Sequence, residues 1–313
     1  MNVALFDHPQ IRQQLLPFTY TRPVAEIRMG ILTITEKWQH YLGENITHLT
    51  QDFLANKFQG PKETINLLVI NGGVCPDDKL RTAIEALEQN TSLSQDGIIL
   101  AARISEYNSI AELETLPSSE YTNELTLISR PWHIFKEAGS QIRKDYKLLT
   151  QNRQSAVITD KHTIVYNPDN IFIEDGVNIK AAILNAENGP IYLGKNSTVE
   201  EGAVIRGPFA LGEDSTVNAQ ARMRGDISIG PKCKVGGEVS NSVIFGHSNK
   251  GHDGFLGNSV LGEWCNIGAG TNISNLKNNY AQVKVWDYAE ETFINTGEQF
   301  CGLMMGDHSK CAI

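Results

Sequence analysis

Apolar residues return along this chain with two different rhythms. Up to about residue 150, strand-like runs ("MNVALF", "NLLVING", "DGIILAAR") alternate with amphipathic stretches ("ILTITEKWQHYL", "DDKLRTAIEALEQN", "RPWHIFKEA"). Strands alternating with helices at this spacing predict an α/β layer with a mostly parallel sheet. The clearest unit is a strand over Leu67–Ile70, a Gly-Gly turn, and a helix opened by Asp77 and Asp78. Its apolar positions Leu80, Ala83, Ile84 and Leu87 share one face. In open α/β sheets, ligands sit beyond the carboxyl ends of such strands.

Beyond "KLLTQNRQSAVITDKH" the helical rhythm stops and small apolar residues recur every sixth position. A first set runs Val165, Ile171, Val177, Ile183, and a second runs from Leu193 through Val199, Ile205, Leu211, Val217, Met223 and Ile229 to Val235. A third takes in Val243, Phe255, Leu261, Ile267 and Ile273. Glycine follows the hexad residue at 194, 212, 230, 236, 262 and 268, where a chain turning a corner needs relief from a side chain. A hexad predicts a parallel β-helix, in which each short strand sends one side chain inward and stacks on the coil before it. A β-sandwich would show period two and irregular turn spacing. From Asn278 the hexads give way to a hairpin-like excursion, and they resume at Met305. The pattern thus predicts domains over 1–150 and 151–313, the second shortened at its C-terminal end for want of a capping coil.

Composition narrows the function. A hydrophobic share of 41% over 313 residues supplies a globular core. The formal charge of -9 and pI near 5.4 argue against nucleic acid or an anionic membrane as partner and leave small molecules. The N-terminus lacks the basic and apolar regions of a secretory signal, so the expected location is the cytoplasm. Five scattered cysteines without a CxxC pair predict reduced, mostly buried thiols.

The phrases "GHSNKGHDGFLGNSV" and "LGEWCNIGAGTNISN" resemble the acyltransferase half of the bifunctional N-acetylglucosamine-1-phosphate uridyltransferase family. That resemblance, covering about residues 165 to 275, implies a left-handed β-helix, a homotrimer, and acceptor and acyl-CoA sites in clefts between neighbouring helices. The stretch "LLPFTYTRPVAEIRMGILTITEKW" resembles the variant sugar nucleotidyltransferase domains fused to such helices. It lacks the glycine-rich loop of ordinary nucleotidyltransferases, and it reads "NGG" at Asn71–Gly73 where they carry a metal-binding aspartate. Arg22, Arg28 and Lys37 are the candidate phosphate grips in its place, since guanidinium forks match phosphate oxygens.

The same resemblance assigns candidate roles. His252 falls on the histidine base of the family's "KxxHLxYxGD" phrase, and a neutral imidazole suits proton abstraction near neutral pH. Asn266 and Asn275 coincide with acceptor-contacting asparagines, and Arg224, in "ARMRGD", with a phosphate-contacting arginine. Lys277 is a further candidate for the acceptor phosphate, whereas Lys250, Lys277 and Lys284 also fit an ordinary polar face. Ser240 and Phe255 stand where the family has a lysine and a tyrosine, so a different acceptor is expected. The resulting expectation is acetyl transfer from acetyl-CoA to a sugar phosphate or nucleotide sugar. Sugar-1-phosphate nucleotidyl transfer or binding, with Mg²⁺, falls to the N-terminal half. The alternatives are a nucleotidyltransferase whose β-helix only trimerises it, and a non-catalytic sugar-nucleotide sensor or scaffold.

Overall fold

The computed structural model describes residues 2–311, so the last two positions of the predicted 151–313 domain lie outside the described residues. Two compact units emerge. One comprises residues up to Leu15 together with Thr19–Ile27 and Leu32–Arg130; the other comprises Leu16–Phe18, Arg28–Ile31 and everything from Pro131 onward.

The first unit is built on a six-stranded sheet in the order Ile46–Leu49, Asn2–Phe6, Ile65–Asn71, Ile98–Glu106, Thr91–Gln95, Ser118–Glu120. The pairings of Asn2–Phe6 with both neighbours, and of Thr91–Gln95 with Ser118–Glu120, are parallel; the two made by Ile98–Glu106 are antiparallel. Phe6, Leu67, Val69, Ala102 and Ile104 pack one face into a core, each large side chain contributing about 1.5–3 kcal/mol of burial. The helix Ile34–Leu42 starts in a capping box between Thr33 and Glu36 and ends at Gly43, whose φ of 66° suits a residue without Cβ. Its Trp38 is fully buried and donates Nε1–H to the Val74 carbonyl at 2.9 Å. Asp77 caps the helix Asp78–Glu85 through the Leu80 amide at 2.9 Å.

In the second unit the chain winds into a left-handed parallel β-helix. Its three faces hold six, seven and seven parallel strands, opening at Ile164–Tyr166, Ile171–Ile173 and Asn178–Ile179. Register between coils stacks like positions, so one inward column runs Ile179, Val199, Val217, Val235, Lys250, and on to Ile267 and Cys311. The eight residues from Leu193 to Val235 all lie in the buried core. The other two sets keep Val165, Leu261 and Ile267 and need correction elsewhere. Ile173, Ile179 and Leu184 stack with Leu193, Val199 and Ile205, where Ile171, Val177 and Ile183 were expected. Ile244 and Leu256 fill the core in place of Val243 and Phe255. Corners of unequal length before and after the regular stretch shift the phase by one or two residues.

The glycines after the hexad residues also serve another purpose than expected. Gly230 and Gly236 do not adopt a positive φ; instead a Cβ there would strike the carbonyl oxygens of Phe245 and Gly251 on the next coil. The left-handed corners are taken by Asn196, Asp214, Lys232, His247, Trp264 and His308, with φ between 51° and 59°. At one corner the rings of His247 and Trp264 stack at 4.7 Å, and His308 lies parallel to Trp264 at 6.4 Å.

The helix Pro131–Thr150 buries Trp132, Ile134, Phe135, Ala138 and Ile142 and clusters with the β-helix. The excursion forms an antiparallel hairpin, Lys284–Asp287 with Thr292–Asn295. Met304–Met305 then rejoins the stack beside Val260 and Leu261. Four of the five cysteines are buried and none forms a disulfide. Among the described residues no helix is long and apolar enough to cross a membrane.

Candidate active site

In the first unit, the carboxyl ends of Asn2–Phe6, Ile46–Leu49 and Ile65–Asn71 form one edge of the sheet. Asp7 follows directly and is 3% exposed. Its carboxylate accepts from Arg12 Nη1 at 2.7 Å, the Val24 amide at 2.7 Å and Thr50 Oγ1 at 2.5 Å. Arg12 also donates to the carbonyls of Arg22 and Thr19. This buried, multiply bonded ion pair folds the segment after the first strand around one guanidinium, and so holds in place the stretch that stands for a glycine-rich loop. Beside it, His8 Nδ1 is buried with no hydrogen-bond partner among the described residues. Desolvation lowers the pKa of that imidazole, with Glu114 opposing.

The Asn71 side chain is fully buried and committed to the local turn. Its Nδ2 donates to the Ile99 carbonyl at 2.9 Å and its Oδ1 accepts from the Gly73 amide at 3.0 Å. No cluster of three or more His, Cys, Asp or Glu able to hold a metal ion occurs among the described residues. Of the side chains at this edge, Asn71 is committed to its own turn and the Asp7 carboxylate to Arg12, the Val24 amide and Thr50. A second buried group joins His48 to Glu26 at 3.0 Å and to Thr35 at 3.1 Å. Burial pushes the Glu26 carboxyl up, but hydrogen bonds with His48 and Thr35 and the charges of His48 and Arg22 prevail and leave it below its ordinary value.

The candidate phosphate grips are divided between the two units. Arg22 and Lys37 belong to the first, at 5% and 2% exposure. Arg28 belongs to the second, where its guanidinium donates to the Phe245 carbonyl at 3.1 Å and to the Ile31 carbonyl. Arg28 is thereby engaged with backbone.

In the second unit, His252 is exposed on the loop between the strands Asn249–Lys250 and Phe255–Gly257. Four consecutive carbonyls of that loop each accept a hydrogen bond. Gly251 O takes Asn218 Nδ2 at 2.9 Å, His252 O takes Lys250 Nζ at 2.6 Å, Asp253 O takes the Gly270 amide at 3.1 Å, and Gly254 O takes the Glu238 amide at 3.2 Å. The backbone is fixed at every residue while the imidazole stays open to solvent.

The other candidates lie on neighbouring coils. Asn266 accepts from Asn249 Nδ2 at 3.0 Å, and Asn249 is two residues before Gly251. Asn275 donates to Asn258 Oδ1 at 2.7 Å across one coil. Arg224 is exposed and bound to Glu238 at 2.7 Å, with Arg222 on the same carboxylate at 3.5 Å. The Arg224 hydrogen bond is the main cause that holds Glu238 below its ordinary value. Lys277 is exposed. His252 was marked by the family resemblance and not by the spacing, and neither singled out Lys250, read above as a polar-face residue and here 1% exposed inside the coil. The signal was present, since Ile244, Lys250 and Leu256 keep the hexad interval.

Residues 3–154 match the family model described as sugar nucleotidyl transferase. The chain is also 35% identical over 143 residues to a bifunctional sugar-1-phosphate nucleotidylyltransferase/acetyltransferase of Sulfurisphaera tokodaii. The match takes in 45% of this chain and spans 33% of that relative's length.

Proposed function

We propose, from the match of residues 3–154 to the sugar nucleotidyl transferase family model and the geometry of the His252 loop, that this chain is an enzyme of nucleotide-sugar metabolism whose β-helix transfers an acyl group. The donor is acetyl-CoA and the acceptor a sugar phosphate or nucleotide sugar. The observation that carries the reading is an exposed imidazole on a loop whose four carbonyls are all bonded. A general base is effective only when it is held in place. The acceptor nitrogen or oxygen attacks the thioester carbonyl carbon while His252 takes its proton; the carbon–sulfur bond then breaks, and the proton passes to the departing thiolate. Backbone amides stabilise the oxyanion. Arg224, Lys277, Asn266 and Asn275 orient the acceptor, the cations meeting its phosphate. Assembly as a trimer would bring a second chain to the site. The similarity to a relative named as an acetyltransferase supports this reading.

For the N-terminal domain two readings stand side by side. Its family favours sugar-1-phosphate nucleotidyl transfer, with any Mg²⁺ arriving on the phosphates of the nucleoside triphosphate. The sealed Asn71–Gly73 turn, which carries no carboxylate of its own, favours binding without turnover. The unpartnered His8 Nδ1 at the ligand edge of the sheet is consistent with either.

The test is coenzyme A release from acetyl-CoA with a panel of amino-sugar phosphates and nucleotide sugars, wild type against His252→Ala. Turnover with one acceptor, lowered by at least about 100-fold in the variant, is expected for loss of a general base. No release with any acceptor from a folded protein sinks the acyl-transfer reading. A parallel pyrophosphate-release assay with sugar 1-phosphates and nucleoside triphosphates separates transfer from binding in the N-terminal domain.

A further inference from the structure

Lysine is out of place inside a β-helix. In the column that carries Val217, Val235 and Ile267, position 250 stacks directly on Val235 and is 1% exposed. Asn249 pairs with Asn266, so Ile267 follows on the next coil. An ammonium in this interior loses its hydration, and burial lowers its pKa against the opposing charge of Asp253. An aliphatic side chain would fill the column without that penalty.

The ammonium's contacts indicate what the charge is for. Nζ donates to the carbonyls of Gly236 at 3.2 Å and His252 at 2.6 Å. The shorter, charge-assisted bond goes to the residue whose imidazole stands in solvent. The other three bonds to the loop come from the Asn218 amide and the backbone of neighbouring coils. Among the described residues, Lys250 alone ties the His252 carbonyl to the interior of its own coil.

We infer that Lys250 is a positioning residue, anchoring from inside the coil the loop that presents His252. The inference rests on the reading of His252 as the base. Lys250 touches neither acceptor nor donor; it acts through the His252 carbonyl.

Lys250→Met tests this, because methionine keeps the length and apolar stem that the column accepts while removing the donor. The variant is expected to fold with a thermal midpoint no lower than wild type. The loop should loosen, which hydrogen exchange reads at the Gly270 and Glu238 amides that donate to Asp253 O and Gly254 O. Exchange there is expected to quicken by about tenfold, the amount that follows from one charged hydrogen bond of roughly 1.5 kcal/mol. The Val243 amide, bonded to Ser259 O on another face, should keep its wild-type rate. In coenzyme A release with whichever acceptor wild type uses, kcat should fall about tenfold while both KM values stay within about twofold.

Unchanged exchange at Gly270 and Glu238 overturns the inference. So does faster exchange everywhere with a lowered midpoint, which marks a merely structural lysine, and so does failure of both Lys250→Met and Lys250→Leu to fold. If wild type releases no coenzyme A, the acyl-transfer reading falls by itself; the exchange measurement still decides whether Lys250 anchors the loop.

Discussion

Asp7 and Arg12 show how one buried pair can organise a loop. Arg12→Met leaves the Asp7 carboxylate with two neutral donors, the Val24 amide and Thr50, in a nearly dry site. Removing one partner of such a pair is expected to cost about 3–5 kcal/mol in urea unfolding. Asp7→Asn combined with Arg12→Met should recover part of that loss, a coupling that independent contributions would not produce. Glu26 supplies a pH signature. Its carboxyl is held below its ordinary value in the folded state, so its contribution is present above the unfolded pKa and lost as pH falls through the folded one. Wild type should therefore lose more stability than Glu26→Gln when urea midpoints at pH 7 are compared with those below pH 4. Equal losses would dismiss the effect. At Arg224 the ion pair is exposed and worth little stability. Glu238→Gln should leave the thermal midpoint unchanged while lowering the KM for a phosphorylated acceptor, because it frees the cation.

Among the elements, the coil corners set the tightest constraint. Successive coils approach so closely at Gly230 that a methyl group would meet the Phe245 carbonyl, which also accepts from Arg28. Gly230→Ala is expected to destabilise the β-helix by more than about 2 kcal/mol, read by its thermal midpoint. The corner in space is turned by residues in the left-handed region, and Trp264 adopts it while 53% exposed. A bulky side chain at positive φ carries a strain of about 1 kcal/mol or more, and the stacking on His247 offsets part of it. The helix Ile34–Leu42 is more ordinary: Thr33→Ala removes one half of its capping box and should cost about 1 kcal/mol.

Across the whole molecule, the trimer belongs to the proposed reading, and sedimentation should give the mass of three 34.6-kDa chains. A monomer with full acyl-transfer activity would remove the second chain from the site. Two of the three hexad sets slipped in phase over part of their length, with Val165, Leu261 and Ile267 in place, even though the fold itself was legible, and the reason lies in how β-helices are encoded. A repeat writes the same residue class at a fixed interval, so the period survives any local error. The phase depends on how many residues each corner takes, and that is decided by contacts between coils. The α/β half was legible for a similar reason: strands such as Ile65–Asn71 and capped helices such as Asp78–Glu85 declare themselves locally.

By itself, then, the sequence determined the two architectures, the helix opened by Asp77 and the regular coils from Leu193 to Val235. These depend on neighbours a few positions apart along the chain, whereas His252 was marked as the residue to test by its resemblance to a family phrase. Only the tertiary structure decided that the inward Lys250 reaches the His252 carbonyl, that Arg12 closes on Asp7, that Arg28 is engaged with Phe245, and that Asn71 is sealed into its own turn. The physical reason is the same in each case: a charge or an amide acquires its role from the partner it finds, and those partners were brought there by the folding of the backbone.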